Sequence, residues 1–181
     1  MSDVDEKRPA MNLNVSVGPT ELSAMHTHGE QTYPDECCGA MYGPGDGRIT
    51  HVFALSNTFP DGQRRRFLVG PDEYRRAEQH ALDVNLALVG FYHSHPDHPA
   101  EPSAFDLEHA WPNLSYVIVS VRQGRADVAR SWRLRSDRSQ FDEETLRRFE
   151  TYHQIYASKP ERKLKNKQRK HPRSPGADYQ P

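Results

Sequence analysis

The stretch LALVGFYH, Leu86 to His93, is apolar almost without interruption. It is far too short to span a bilayer, and such a run suits a strand in the middle of a sheet that is covered on both faces. A chain that buries such a strand must supply neighbouring strands beside it and helices above and below it.

The flanking segments supply both. NLNVSV, Asn12 to Val17, alternates apolar and polar residues as a half-buried strand does, and GPTELSAMHTHGEQTYP then reads as a helix begun by Pro19, Thr20 and Glu21. CCGAMYG and RITHVFALSN form a hairpin around the turn cluster GPGDG, and RRFLVG is a further short strand. PDEYRRAEQHALDVN is a helix, with Pro71 in its first turn and Asp72 and Glu73 at the positive end of its dipole. After a proline loop a short helix begins at Ser103, followed by strands SYVIVSV and ADVARSWRL about the turn RQGR. FDEETLRRFETYHQIYA is expected to be a last helix, packed on the sheet through Phe141, Leu146, Phe149, Tyr152 and Tyr156. Strands interleaved with helices predict an α/β fold with a mixed sheet and helices on its faces.

A chain of 181 residues is enough for one such domain. It is expected to occupy residues 12–157, after a disordered segment 1–11 and before a basic, Pro/Gly-rich tail, 158–181, that reads as a solvated arm. The 24 basic and 25 acidic residues leave a net charge of -1, so nothing global demands nucleic acid or membrane, and a weak nucleic-acid role is confined to the tail. The adjacent Cys37 and Cys38 would be strained as a disulfide, which fits a reducing compartment. A soluble, cytoplasmic protein is expected.

The chemistry is concentrated in HSHPDHPAEPSAFD, His93 to Asp106. Residues i and i+2 of a strand share a face, so His93 and His95 can aim both imidazoles at one point if the strand persists to Pro96. Neutral imidazole is a common zinc ligand, and a catalytic zinc takes three protein ligands and keeps a fourth position open. Asp106 is the candidate third ligand, returned to the histidines by a loop that Pro96, Pro99 and Pro102 stiffen. His26 and His28 have the same spacing but lie in an expected helix, where such positions diverge, and His98 and His109 read as solvated. Ser103 and Asp106 also form a capping box, a role compatible with chemistry at a helix N-terminus. Four fixed residues would match by chance on the order of once in a thousand chains of this length, so the combination outweighs the cap alone. Hydrolysis also needs a carboxylate to carry a proton. Glu36 in YPDECCG is one candidate, and spacing alone does not choose among it, Asp35 and Glu30.

HSHPDHPAEPSAFD, with a glutamate upstream, resembles the JAMM (MPN-plus) zinc metalloprotease signature H-[ST]-H-P-x(6)-S-x-x-D, and the resemblance runs from about Asn12 to Leu146. It implies a curved mixed sheet flanked by helices, related to the cytidine deaminases. It also implies Zn2+ on His93, His95 and Asp106, Glu36 as general base and acid, and Ser103 supporting the tetrahedral intermediate. YPDECCG, SNTFPDGQRRRF and GFYHSHP are similar to the compact prokaryotic branch. That branch implies a peptidase acting on the C-terminal tail of a small β-grasp, ubiquitin-like sulfur carrier, releasing cysteine or trailing residues after Gly-Gly. The alternatives are a desampylase-like isopeptidase acting on lysine-linked modifiers and a catalytically silent MPN scaffold. The P-C-x-x-C that a nucleoside deaminase pairs with its H-x-E is absent.

Overall fold

The structure, a computed structural model, describes residues 14–57 and 66–150. The expected N-terminal segment 1–11, positions 12–13 of the first strand, residues 151–157 of the last helix and the tail 158–181 lie outside the described residues. In chain order the elements are β1 (Asn14–Val17), α1 (Pro19–Thr32), β2 (Cys38–Gly43), β3 (Arg48–Ile49), β4 (His51–Leu55), α2 (Pro71–Asp83), β5 (Ala87–Pro96), α3 (Ala104–His109), β6 (Ser115–Arg122), β7 (Arg125–Leu134) and β8 (Phe141–Arg148).

The strands form one sheet in the order β3-β1-β8-β7-β6-β5-β2-β4. It is mixed: β1 runs parallel to β3 and β8, and β5 parallel to β6, while the remaining pairs are antiparallel. β3 and β4 sit at opposite ends of that order yet are separated in the chain by Thr50 alone. One residue spans only about 3.5 Å, so the sheet must curl until its two ends meet.

The period-2 alternation sorts side chains onto two faces. Val117, Val119 and Val121 of β6, Tyr92 of β5 and Met41 of β2 join Leu22 and Met25 of α1 in one core cluster. Tyr116 of β6, Phe91 of β5, and Ala40 and Tyr42 of β2 join Ala77 and Ala81 of α2 in the other. The central strand is therefore covered on both faces, as its apolar run requires. α1 approaches β5 closely at Gly29, where a Cβ would lie 3.2 Å from Ser94 Cβ.

Gly90 marks a bulge in β5. Met41 pairs with Gly90 but Tyr42 pairs with Leu88, leaving Val89 as the extra residue. A Cβ at Gly90 would fall 1.8 Å from the Ser115 carbonyl oxygen, a backbone atom that cannot swing away. Gly90→Ala is therefore expected to cost about 3 kcal/mol, the upper range for overpacking, and to lower Tm by about 6–12 °C. Gly70→Ala is the contrast in the same thermal melt, since its Cβ would meet only the far end of the Glu73 side chain, at 3.1 Å, rather than backbone. Equal losses for the two variants would count against this account of the bulge.

Two expected elements differ. RRFLVG does not join the sheet: over residues 66–70 Phe67 and Val69 are buried as the alternation predicts, but side chains rather than a ladder satisfy the backbone. Asn57 Nδ2 donates to Arg66 O at 2.9 Å and Trp111 Nε1 donates to Val69 O at 3.2 Å. Over its described residues, 141–150, the expected last helix is instead strand β8, paired with β7 and β1. Phe141 and Leu146 do reach the core, but on opposite faces of the sheet, as a five-residue offset in a strand dictates. Helical propensity in EETLRR yields to tertiary pairing: buried Glu144 accepts from Ser115 Oγ at 3.2 Å and Ser131 Oγ at 2.9 Å, and Arg130 and Arg135 pair across the ladder with Glu143 and Asp142.

Candidate metal centre and active site

β5 stays extended through Pro96, so His93 and His95 project from one face, with 0% and 7% of their surfaces exposed. Their Nε2 atoms are 3.0 Å apart. His95 Nδ1 lies 2.9 Å from the Pro99 carbonyl, which accepts only, so Nδ1 carries a proton and Nε2 presents its lone pair whenever the ring is neutral. The His93 ring stacks on Phe67, centroids 4.0 Å apart and planes 22° apart, while its Nδ1 is buried without a partner.

The loop after β5 returns the chain to these rings at α3. Ser103 caps the helix: its Oγ accepts from Asp106 N–H at 3.1 Å, and its own N–H donates to Asp106 Oδ2 at 2.6 Å. The capping box thus holds the Asp106 carboxylate where Oδ1 is 3.6 Å from His93 Nε2 and Oδ2 is 3.5 Å from His95 Nε2. Zinc bonds of about 2.0–2.2 Å in a tetrahedron put neighbouring ligand atoms roughly 3.3–3.6 Å apart. The two Nε2 atoms and the nearest carboxylate oxygen to each are separated by distances comparable to that edge, and two imidazoles with one carboxylate are a zinc-type donor set, so the residues fit the metal. Among the described residues this is the one cluster of three such side chains whose donor atoms lie within 4.8 Å of one another.

The electrostatics agree. Burial lowers the His93 pKa, favouring the neutral ring. Burial opposes protonation of His95 too, but the Asp106 carboxylate outweighs it and raises the pKa. Two Nε2 atoms this close cannot both carry protons, so one ring at most is charged. Burial alone would raise the Asp106 pKa, yet the His93 and His95 rings and the Ser103 N–H hold it well below the usual carboxylate range. The carboxylate is therefore anionic at neutral pH.

Glu36 precedes β2, is 5% exposed, and has a buried Oε2 with no hydrogen-bond partner. Burial pushes its pKa up to about 8, with the His95 charge opposing and the Asp106 charge adding. It lines a cleft of about 420 Å³ together with His95, His98, Pro99, Glu101 and Ser103. The two carboxylates that spacing left open are placed elsewhere: Glu30 Oε1 accepts from Ala126 N–H at 2.9 Å, and Asp35 does not line the cleft. His26 and His28 stay apart from the cluster, and His28 Nδ1 meets the Tyr92 hydroxyl at 2.9 Å. His98 lines the cleft without joining the metal group, and His109 is an exposed ring stacked on Phe105.

The site also includes groups that spacing did not single out: the Pro99 carbonyl on His95, the Phe67 ring on His93, and the Ser94 hydroxyl. The buried alternation of Phe67 and Val69 was the available signal for Phe67. Ser94 gave none, because a residue between two candidate ligands on a strand points to the opposite face.

The family of prokaryotic homologs of the JAB domain, Prok-JAB, matches residues 20–135, a span that contains Glu36 and the whole His93 to Asp106 motif. This chain belongs to the Prok-JAB family. Within the same JAMM-like group, it is 36% identical over 89 residues to a desampylase of Haloferax volcanii, a match covering 48% of this chain and 63% of that one. It is 32% identical over 85 residues to a desampylase of Pyrococcus furiosus, covering 46% and 59%. The chain thus spans about three fifths of the length of these two curated relatives. Among solved structures, a protein from Desulfitobacterium hafniense is similar with a TM-score of 0.66 and 30% identity, covering 76% of this chain and 94% of that one. A JAB1/MPN domain protein from Archaeoglobus fulgidus shares the Prok-JAB chain's fold with a TM-score of 0.50 at 14% identity, over 75% and 98%. Among the described residues, no helix of this Prok-JAB chain is long and apolar enough to cross a membrane.

Proposed function

We propose that this chain is a zinc-dependent isopeptidase that detaches a ubiquitin-like modifier from a lysine side chain. The observation that carries the reading is the buried group of His93, His95 and Asp106 beside a cleft lined by Glu36 and Ser103. The substrate class is supported by the two archaeal desampylases among the relatives.

In this reading His93 and His95, through Nε2, and Asp106, through its carboxylate, hold the metal. Zinc supplies Lewis acidity and lowers the pKa of water. Glu36 takes a proton from the attacking water as the new C–O bond forms, and passes it to the lysine amine as the C–N bond breaks. It ends as the carboxylate it began as, with one water consumed. Its burial suits both halves of the task, because a raised pKa makes it a better base and keeps the proton within reach of the amine. The Ser103 hydroxyl donates to the substrate carbonyl oxygen as charge develops there. Its Oγ is already fixed by accepting the Asp106 N–H, so little reorganisation is needed.

Release of cysteine from the C-terminus of a β-grasp sulfur carrier would use the same residues and differ only in the leaving amine. The motifs of the sequence point first to that reaction, and the relatives shift the weight to the lysine-linked one. The test offers the zinc-loaded protein both substrates: a modifier joined through its C-terminal glycine to lysine, and a carrier extended by cysteine after Gly-Gly. The lysine conjugate is expected to be cut with a kcat/KM at least about 10-fold higher, a difference a leaving-group pocket readily supplies. Chelator should stop the reaction and zinc restore it. Cleavage of the cysteine-extended carrier alone would replace this reading with the carrier peptidase. Cleavage of neither, with zinc bound, would favour a silent scaffold.

A further inference from the structure

Glu36 must aim its carboxylate into the cleft, yet its Oε2 has no hydrogen-bond partner. Its backbone lies outside the ladder too, since β2 begins only at Cys38. The peptide unit joining Glu36 to Cys37 is nevertheless held at both polar atoms. The Cys37 N–H donates to Ser94 Oγ at 2.9 Å, and the Glu36 carbonyl accepts from Asn57 Nδ2 at 3.3 Å. A third bond, from the Ser94 N–H to the Cys37 carbonyl at 3.2 Å, closes the same junction. The two side chains come from different places: Ser94 lies between the two histidines of β5, and Asn57 just beyond β4.

We infer that Ser94 and Asn57 are positioning residues for Glu36, fixing the plane of the Glu36–Cys37 peptide unit and so the direction in which the carboxylate enters the cleft. The inference rests on the isopeptidase reading for what Glu36 does once it is there. A tilt of roughly 15°, acting over the ~4 Å from Cα to the carboxylate, moves it by about 1 Å, and a misplacement of that size costs up to about 10²-fold in rate. Ser94 is suited to the task because it is fully buried and faces α1, away from the imidazoles, where Gly29 leaves room for a small side chain. Asn57 adds reach: the same Nδ2 that holds Glu36 O also holds Arg66 O, tying the junction to the segment that carries Phe67 over His93.

The experiment uses the full chain loaded with zinc, as Ser94→Ala, Ser94→Thr and Asn57→Ala, each with and without Glu36→Gln. Each alanine is expected to lower kcat about 10-fold with KM within about twofold, the pattern of a lost transition-state alignment, while zinc stays near one per chain. Threonine, which keeps the hydroxyl, should recover most of the loss. In the Glu36→Gln background neither alanine should lower the residual kcat further, because both act through the group already removed. The Cys37 amide should exchange with solvent about 10-fold faster in Ser94→Ala. Asn57 is only half-buried, so its variant keeps the test alive if the buried serine does not tolerate change. Unchanged kcat in both alanine variants, loss of zinc, or an additive fall in the Glu36→Gln background would overturn the inference. If the zinc-loaded parent cuts neither substrate, the isopeptidase reading fails on its own. The clamp is then decided by exchange: a faster Cys37 amide in Ser94→Ala sustains it, and an unchanged rate overturns it.

Discussion

Asp106→Ala is expected to yield a folded protein that no longer retains zinc through dialysis. Asp106 faces both histidines at 3.6 and 3.5 Å and supplies the only negative charge in the three-residue group. Losing an outer hydrogen-bond partner of a zinc ligand already costs about 10–100-fold in affinity, so losing a ligand should cost more than about 10²-fold. The fold should suffer less. Alanine breaks the capping box at α3, worth about 1 kcal/mol, but it also removes a carboxylate that burial penalises when no cation faces it. Asp106→Asn separates the two effects, since its carbonyl oxygen can still accept from the Ser103 N–H while the anionic ligand is gone. Metal quantification should find zinc depleted in both variants, with Tm of the metal-free proteins within a few degrees of the parent. Near-stoichiometric zinc in either variant would remove Asp106 from the ligand set.

The parts of this site legible in the sequence are those governed by local periodicity. The two-residue repeat of a strand placed His93 and His95 on one face, and the four-residue box of a helix start placed Ser103 against Asp106. The same rule set aside His26 and His28. Covering helices followed from the apolar run of β5, and Pro71 and Pro19 marked the starts of α2 and α1. What was not legible depends on contacts between distant segments. Nothing near Glu144 announces that it will be buried against Ser115, Ser131 and Arg133, so β8 read as a helix on its own propensity. RRFLVG had the right alternation, but the backbone carbonyls of Arg66 and Val69 are met by the Asn57 and Trp111 side chains rather than by a neighbouring strand. Glu36 could not be separated from its acidic neighbours until burial and the cleft distinguished them.

Glu36→Gln should retain zinc and lose turnover by about 10²-fold or more, the usual contribution of a positioned acid and base. The amide keeps the size of the side chain and its place at the cleft wall, but it cannot take up a proton at neutral pH. The proposed ligands are untouched, because Glu36 is not a member of the His93, His95 and Asp106 group. The pH profile adds a second signature. In the protein without metal, burial holds the Glu36 pKa up at about 8. A cation on the neighbouring ligands favours the carboxylate and draws the pKa down, so the parent's kcat should rise with pH along a limb centred below about 8 as Glu36 loses its proton. In Glu36→Gln that limb should vanish and the residual rate should be flat over the same range. The measurement is kcat against pH for parent and variant, with zinc content determined on the same samples. A variant that loses zinc would make Glu36 a ligand, and one that keeps both its rate and its acid limb would return the general-base role to another carboxylate.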